Sequence, residues 1–331
     1  YSNVSAGSNT YVGNDAGYAK TGGANVAVGM RAMQNVASGD GNVAVGVTAG
    51  VHIHGNYSTH IGYQAGRHAS GSNNTSLGFM AGYGSITSAP YSTGTDNTSV
   101  GYKALTNFTA GTANVALGYQ ALSELRTGTY SVGIGVHAGD HATGSYNTFV
   151  GGKAGMGGTT SAPFSSGLNN TALGYNALAA FTTGYSNVAI GYGASDALTT
   201  GYLTTAVGVG AGGNATTGTG WVGIGYGAGA AQQTQGNWIA IGYEAMGGTA
   251  GTNESYEIAI GYRSMYNAKD GSQGVGLGSN TLENLVGASS VAIGSTAGRY
   301  ASGSQNTFVG YSAGQGGTTS APYSSGTQNV A

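Results

Sequence analysis

The chain has 331 residues, of which only 6% are charged, while 66 are glycine and 40% are hydrophobic. Nine basic and eleven acidic residues are scattered along it and give a net charge of −2, so it has no basic stripe of the kind that nucleic-acid binding requires. Cysteine is absent, which excludes disulfides and thiolate chemistry. No apolar run approaches the length of about 18 residues that spans a bilayer, so we expect no membrane insertion.

One phrase recurs along the whole chain: Asn, Thr or Val, a small residue, an aliphatic residue, Gly, and often Tyr-x-Ala. Clear copies lie at 25–32, 114–121, 187–194 and 306–313. The central glycine, called the repeat glycine below, recurs every 16 or 17 residues, with three longer gaps of 19 or 23. It falls at positions 13, 29, 46, 62, 78, 101, 118, 135, 151, 174, 191, 208, 225, 242, 261, 278, 294 and 310. A short fixed period predicts a stacked array of coils.

The residues before each repeat glycine predict a short β-strand. The residue directly before it is always Val, Ile or Leu, and the residue three before it is always Thr, Val or Ile. These two positions share one face of a strand, so we expect them to form the thin core of each coil. The position between them is mostly Ala, Gly or Ser, as at Ala27 and Ala116, whereas a solvated face would carry charges. We therefore expect neighbouring chains to cover that small-residue face.

The rest of each coil reads as turns. The second residue after the repeat glycine is variable and often polar, which indicates an exposed corner, and Thr-Gly or Ser-Gly pairs follow as tight turns. Asn opens the strand in ten of the eighteen copies, and stacking would bring these amides into a ladder. The predicted fold is all-β, a β-solenoid or β-roll of about 18 coils of 16–17 residues, with residues 1–331 as a single array without a separate capping domain.

Three coils carry an insertion, near residues 84–94, 157–167 and 316–326, and these insertions hold every proline of the chain. The extra residues break the register of the coil, so we expect them to project as loops that proline stiffens. Phe149 and Phe308 replace a small residue in two of these coils, and we interpret them as wedges beneath the loops. The candidate contact residues of the loops are Pro90, Tyr91, Pro163, Phe164, Pro322 and Tyr323.

The segments 97–105 (NTSVGYKAL) and 170–178 (NTALGYNAL) resemble the β-roll repeats of phage tail-fibre proteins and related bacterial surface proteins. More distantly, the repeat is similar to the heads of trimeric autotransporter adhesins. The resemblance implies a parallel homotrimeric fibre that is extracellular, on a virion tail or a cell surface. It also implies that the fibre binds a glycan or protein receptor on the host surface.

Sequence strings typical of enzymes have a simpler origin in the repeat. Residues 310–314 fit the GxSxG pattern and residues 208–213 fit GxGxxG, but both are the repeat frame with Ser or Gly in variable slots. Carboxylates fall in separate coils without a paired motif, so we expect no enzymatic activity.

His52 and His54 are the strongest candidates for a metal site. On a strand, residues two apart point the same way, and three-fold symmetry would bring six imidazoles around one axis. Such a set suits iron or another divalent metal ion, and the string resembles the GxHxH motif of iron-binding phage fibre tips. The interpretation that we favour is a surface corner where two histidines happen to alternate, with no cofactor.

Nine of the 23 tyrosines directly follow a repeat glycine. A stacked aromatic column would stiffen the array, whereas exposed rings would suit the apolar face of a sugar. Two other functions remain open from the sequence: a filament that assembles end to end, and an ice-binding solenoid. We disfavour ice binding because Thr10, Thr59, Thr75 and Thr98 alternate with Val and Ile along their column, as an inward position would.

Overall fold

The computed structural model describes residues 7–19, 22–36, 38–85, 91–158, 160, 164–234, 236–248, 256–268, 273–317 and 324–331. The chain forms two compact units, Tyr1–Asn170 and Thr171–Ala331. Within the described residues every regular element is a β-strand and none is a helix.

The first unit is a ladder of nine parallel strands, each three residues long and each followed by a repeat glycine. Each strand pairs with the next along the chain, so that the strands close eight complete turns. The register keeps equivalent residues together, with Ala27 beside Ala44. The strands are β1 (Thr10–Val12), β2 (Val26–Val28), β3 (Val43–Val45), β4 (Thr59–Ile61), β5 (Thr75–Leu77), β6 (Thr98–Val100), β7 (Val115–Leu117), β8 (Val132–Ile134) and β9 (Thr148–Val150).

The second unit repeats this arrangement with nine further three-residue strands and a two-residue pair, β18 with β20. The chain is therefore an all-β parallel β-solenoid of about 16 turns, as the sequence predicted. The strands are β10 (Thr171–Leu173), β11 (Val188–Ile190), β12 (Thr205–Val207), β13 (Val222–Ile224), β14 (Ile239–Ile241), β15 (Ile258–Ile260), β16 (Val275–Leu277), β17 (Val291–Ile293), β18 (Ala301–Ser302), β19 (Thr307–Val309) and β20 (Ser324–Ser325).

The strands face the opposite way from the prediction. The central residue of every three-residue strand except β1 is buried, while the aliphatic residues on either side are half-buried or exposed. In β7, Ala116 is 0% exposed, whereas Val115 and Leu117 are 37% and 45% exposed. The expectation of a Val, Ile and Thr core was therefore wrong. The coil is too narrow for two aliphatic columns, because the opposite wall already fills its interior with buried residues such as Ala121 and Leu122.

The repeat glycine is required by its backbone conformation and by its neighbour in the next turn. Gly29 has a φ of 130°, which L side chains rarely adopt. A Cβ at this position would lie 2.5 Å from the carbonyl oxygen of Gly46 in the next turn. Because Gly46 meets Gly62 in the same way, the glycines form a column in which every turn restricts the next.

The predicted asparagine ladder is confirmed. Asn42 is fully buried, and its backbone N–H donates to Oδ1 of Asn25 at 2.9 Å. Its own Oδ1 accepts from the backbone N–H of Ser58 at 2.9 Å, and its Nδ2 donates to the carbonyl oxygen of Gly55 at 2.9 Å. The Asn42 side chain thus satisfies two backbone groups at the start of the next turn, and the Asn25 side chain satisfies the backbone N–H of Asn42. An apolar residue would leave these groups without partners.

Large side chains enter the interior where the facing turn residue is glycine. Phe149 is fully buried at the centre of β9, and a Cβ on Gly155 in the same coil would collide with its ring. In β7 the sizes are exchanged, with Ala116 at the centre and Leu122 at the position that corresponds to Gly155. Phe149 is therefore part of the coil interior, and Phe308 pairs with Gly314 in the same way. The wedge interpretation is replaced by one of volume compensation.

We predict that Phe149→Ala lowers the free energy of unfolding by roughly 3–5 kcal/mol because it leaves a cavity. Adding Gly155→Leu recreates the Ala116–Leu122 combination and should recover a large part of this loss. Gly155 and Leu122 have φ values of 52° and 49°, so leucine fits the backbone at this position. Urea unfolding of the single and double variants measures both effects. A double variant no more stable than the single one would contradict volume compensation.

The central residue of β4, His60, makes the structure sensitive to acid. Its ring is fully buried, neither ring nitrogen has a hydrogen-bond partner in the described part of the chain, and burial lowers its pKa from 6.5 to about 4. Between these pH values the unfolded chain binds a proton that the folded chain does not. The free energy of unfolding therefore falls as the pH drops through this window, by roughly 3 kcal/mol for His60.

His60→Phe should remove the part of this pH dependence that His60 contributes. It should also keep the interior filled, because Gly66 accompanies His60 as Gly155 accompanies Phe149. Urea unfolding at pH 7.0 and at about pH 4.5 measures the change in both proteins. An equally steep loss of stability in His60→Phe would show that His60 is not the source.

Candidate functional site

The first insertion leaves and rejoins the ladder through a narrow neck. The backbone N–H of Ser85 donates to Oγ of Ser92 at 2.7 Å, and this hydroxyl donates to the carbonyl oxygen of Phe108 at 2.5 Å. Ser92 also forms a parallel bridge with Ala69, as Ser165 of the second insertion does with Ala142. Register is thus restored immediately after the insertion. Of the six predicted loop residues, Tyr91 and Phe164 are described, while Pro90, Pro163, Pro322 and Tyr323 lie outside the described residues.

The structure brings together His52 and Tyr91, which the sequence assigned to two different sites. Their rings stack with centroids 3.9 Å apart, and the ring of His68 lies 5.1 Å from each. Tyr91 is half-buried as a result, rather than projecting freely. His68 is not among the site residues predicted from the sequence, yet it contacts the insertion from the turn before it.

The two stacked histidines are neutral at physiological pH. Burial, together with nearby positive groups that include Arg67, lowers the pKa of His52 and of His68 to about 4 each. Neutral imidazole is the form that stacks on tyrosine here and also the form that binds metal ions.

His54, two residues beyond His52, is exposed, and Ile53 between them is buried. Within the described ranges of this single chain, no three His, Asp or Glu side chains are grouped to hold a metal ion, so the six-imidazole site stays a prediction that requires three chains.

In the second insertion, too, an aromatic ring stacks on a histidine of the preceding coil. The ring of Phe164 stacks on that of His141 with centroids 6.1 Å apart, and the guanidinium of Arg126 lies 5.5 Å from the Phe164 ring centroid. His68 and His141 are each six residues after a repeat glycine, in the coil before an insertion. This shared position is the sequence signal that could have identified both histidines.

The aromatic residues after the repeat glycines form exposed stacks. In the first unit Tyr63, Phe79, Tyr102 and Tyr119 follow one another with centroids 5.0–5.2 Å apart. In the second unit Tyr226, Tyr243 and Tyr262 stack at 5.0 and 5.5 Å. Within each stack, neighbouring rings cover one another's faces. This arrangement supports the stiffening role and disfavours sugars stacking on the ring faces, which are already occupied.

The first aromatic stack belongs to a strip of exposed apolar residues. The strip consists of the aliphatic residues that flank the strand centres together with the residues after the repeat glycines. We call it the outer strip of the first unit. Its exposed members are Val12, Met30, Val47, Ile61, Tyr63, Leu77, Phe79, Tyr102, Val115, Leu117, Tyr119 and Val136.

No known protein-family model matches the chain, and no curated protein matches it significantly. Among the described residues there is no helix long and apolar enough to cross a membrane.

We predict that His52→Ala loosens the attachment of the first insertion, because it removes the closest ring contact of Tyr91. Hydrogen exchange at the Thr93 amide, which donates to the carbonyl oxygen of Thr109, should accelerate. The contact is worth roughly 1 kcal/mol, which corresponds to about a fivefold change. The matched variant His54→Ala should leave this exchange unchanged.

The same pair of variants tests the metal site by elemental analysis of the purified protein. A six-imidazole site predicts bound metal in the parent protein and its loss in both variants. A parent protein without stoichiometric metal would contradict the metal site. Equal acceleration of exchange in His54→Ala would contradict the stacking role of His52.

Proposed function

We propose that the chain is a structural fibre subunit that assembles as a parallel homotrimer on a virion tail or a cell surface. In this proposal the insertions contact a glycan or protein receptor on the host surface, and the chain performs no catalysis. The observation that carries the proposal is the outer strip, which repeats in register from turn to turn. The proposed number of three chains comes from the resemblance of the repeat to those of tail fibres and trimeric adhesins.

The size of the outer strip supports self-association. Its twelve residues are each 36–56% exposed. With side-chain areas of roughly 150–250 Å² each, the strip exposes on the order of 1,000 Å². Monomeric proteins rarely expose contiguous apolar patches beyond a few hundred Å², and a stable interface buries about 800 Å² per partner.

The shape of the strip supports a second copy of the chain as its occupant. The positions directly before and directly after the repeat glycine recur once per turn, so a parallel copy in register meets equivalent positions at every turn. The second unit carries its own exposed members at the same repeat positions, including Leu173, Ile224, Ile260 and Ile293. In this proposal, partner chains cover the aliphatic columns. They do not cover the small-residue column, contrary to what the sequence led us to expect, because that column lies inside the coil.

Ice binding is the second candidate function. The argument against it was that the threonine column faces inward, and this argument no longer holds. Thr59, Thr75 and Thr98 lie beside one another in register and point outward, not inward as expected. Val43 and Val115 interrupt this column on either side, which limits the regular surface to three turns. A thermal-hysteresis assay decides between ice binding and a surface reserved for other chains.

We predict a sedimentation mass of three times the 32.4 kDa of one chain. The double variant Leu77→Glu/Leu117→Glu should sediment as a single chain, since six buried carboxylates in the trimer would lack partners. The control Gln64→Glu adds a charge outside the strip and should keep the parent mass.

A parent protein that sediments as one chain would overturn the proposal. Retention of the parent mass by the double glutamate variant would show that another surface holds the chains together. A mass that rises steadily with protein concentration would instead support the end-to-end filament.

A further inference from the structure

A polar cleft lies beside the neck of the first insertion. It has a volume of about 620 Å³, within the range of small-molecule sites, and crosses three successive turns of the first unit. Tyr83, Gly84 and Ser85, which lead into the insertion, line it at one side. At the other side Arg126 lines the cleft and also contacts Phe164 of the second insertion. The cleft therefore lies between the two insertions.

The side chains in the cleft offer hydrogen bonds of several kinds. The lining includes the carboxamides of Asn107 and Gln120, both half-buried, and the ring of Tyr83. Asn107 donates through Nδ2 to Oε1 of Glu124 at 2.7 Å, which leaves its side-chain carbonyl oxygen as an acceptor. Mixed amide, hydroxyl and aromatic groups suit a ligand with many hydroxyl groups on an apolar ring frame.

The charges of the cleft leave one cation uncompensated. Arg126 and Glu124 pair with each other, with Nη2 and Oε2 3.5 Å apart. Lys103 forms no ion pair with any carboxylate in the described ranges, and its Nζ lies 5.3 Å from the centroid of the Tyr102 ring. Lys103 is half-buried and lines the cleft, to which it contributes a positive charge. An anionic group on the ligand would balance this charge.

We propose that this cleft binds an acidic saccharide, with Lys103 facing the carboxylate and Asn107, Gln120 and Tyr83 facing hydroxyl groups. The inference deepens the proposed function, because it names the class of host-surface ligand. The chemistry resides within one chain and does not require the trimer. Positions 73 residues further along hold Asn176 and Gly193 in place of Lys103 and Gln120, so the residues on which this proposal rests are not repeated there.

Isothermal titration with sialyllactose and with trigalacturonate tests the proposal, using lactose and galactotriose as neutral counterparts. We expect at least one acidic saccharide to bind with a dissociation constant below about 1 mM. Its neutral counterpart should bind at least about tenfold more weakly, since it lacks the charge-assisted hydrogen bond. Lys103→Met, which keeps the aliphatic stem, should weaken binding of the acidic saccharide by a similar factor.

Lys153→Met is the matched control, because Lys153 is also the second residue after a repeat glycine but does not line the cleft. It should bind as the parent does. No binding of either acidic saccharide up to about 10 mM, equal binding of the neutral ones, or equal loss in both lysine variants would each overturn the proposal. Sedimentation of the same samples separates the saccharide site from the fibre proposal. Saccharide binding by single chains would support the binding site and contradict the trimer. Trimers that bind no acidic saccharide would contradict the binding site and leave the fibre proposal intact.

Discussion

The in-register stacking of one turn on the next is the constraint on which the rest of the structure depends. Many turn residues other than glycine have left-handed backbones, such as Lys103 with a φ of 53°, and each costs roughly 1 kcal/mol. The parallel strand ladder, the column of repeat glycines and the buried asparagines offset this cost only when equivalent residues coincide in space. The same alignment stacks the tyrosines and lines up the outer strip. The buried columns of the interior and the aligned residues of the surface therefore both follow from the same register between turns.

The sequence predicted the elements well because each has a local cause. The aliphatic residue before every repeat glycine placed all eighteen three-residue strands, and Asn25, Asn42 and Asn114 indicated the ladder that the structure contains. It did not predict which side of the strand lies inside. Alternation distinguishes two faces, but the width of the coil decides which face is enclosed. That width depends on residues of the opposite wall, such as Leu122, whose position relative to Ala116 emerges only when the coil closes.

The candidate site was predicted in part for the same reason. The sequence identified Tyr91 and Phe164 because each lies in an insertion and directly follows a proline. His68 and Lys103 carry no such mark, since they occupy slots that vary from coil to coil. Their roles come from what the neighbouring turn places beside them: Tyr91 next to His68, and the cleft next to Lys103. A single sequence shows the columns but not the contacts that an insertion makes with other turns.

In the proposed fibre, the small residues at the strand centres lie inside each coil and the aliphatic residues beside them face other chains. An experimental density map of the assembled particle at side-chain resolution tests this most directly. We predict that Ala116 lies enclosed within its own chain, while Leu77 and Leu117 lie between chains around a three-fold axis. A map with the alanine column at the contacts between chains, or with the outer strip in bulk water around a solitary chain, would contradict the account.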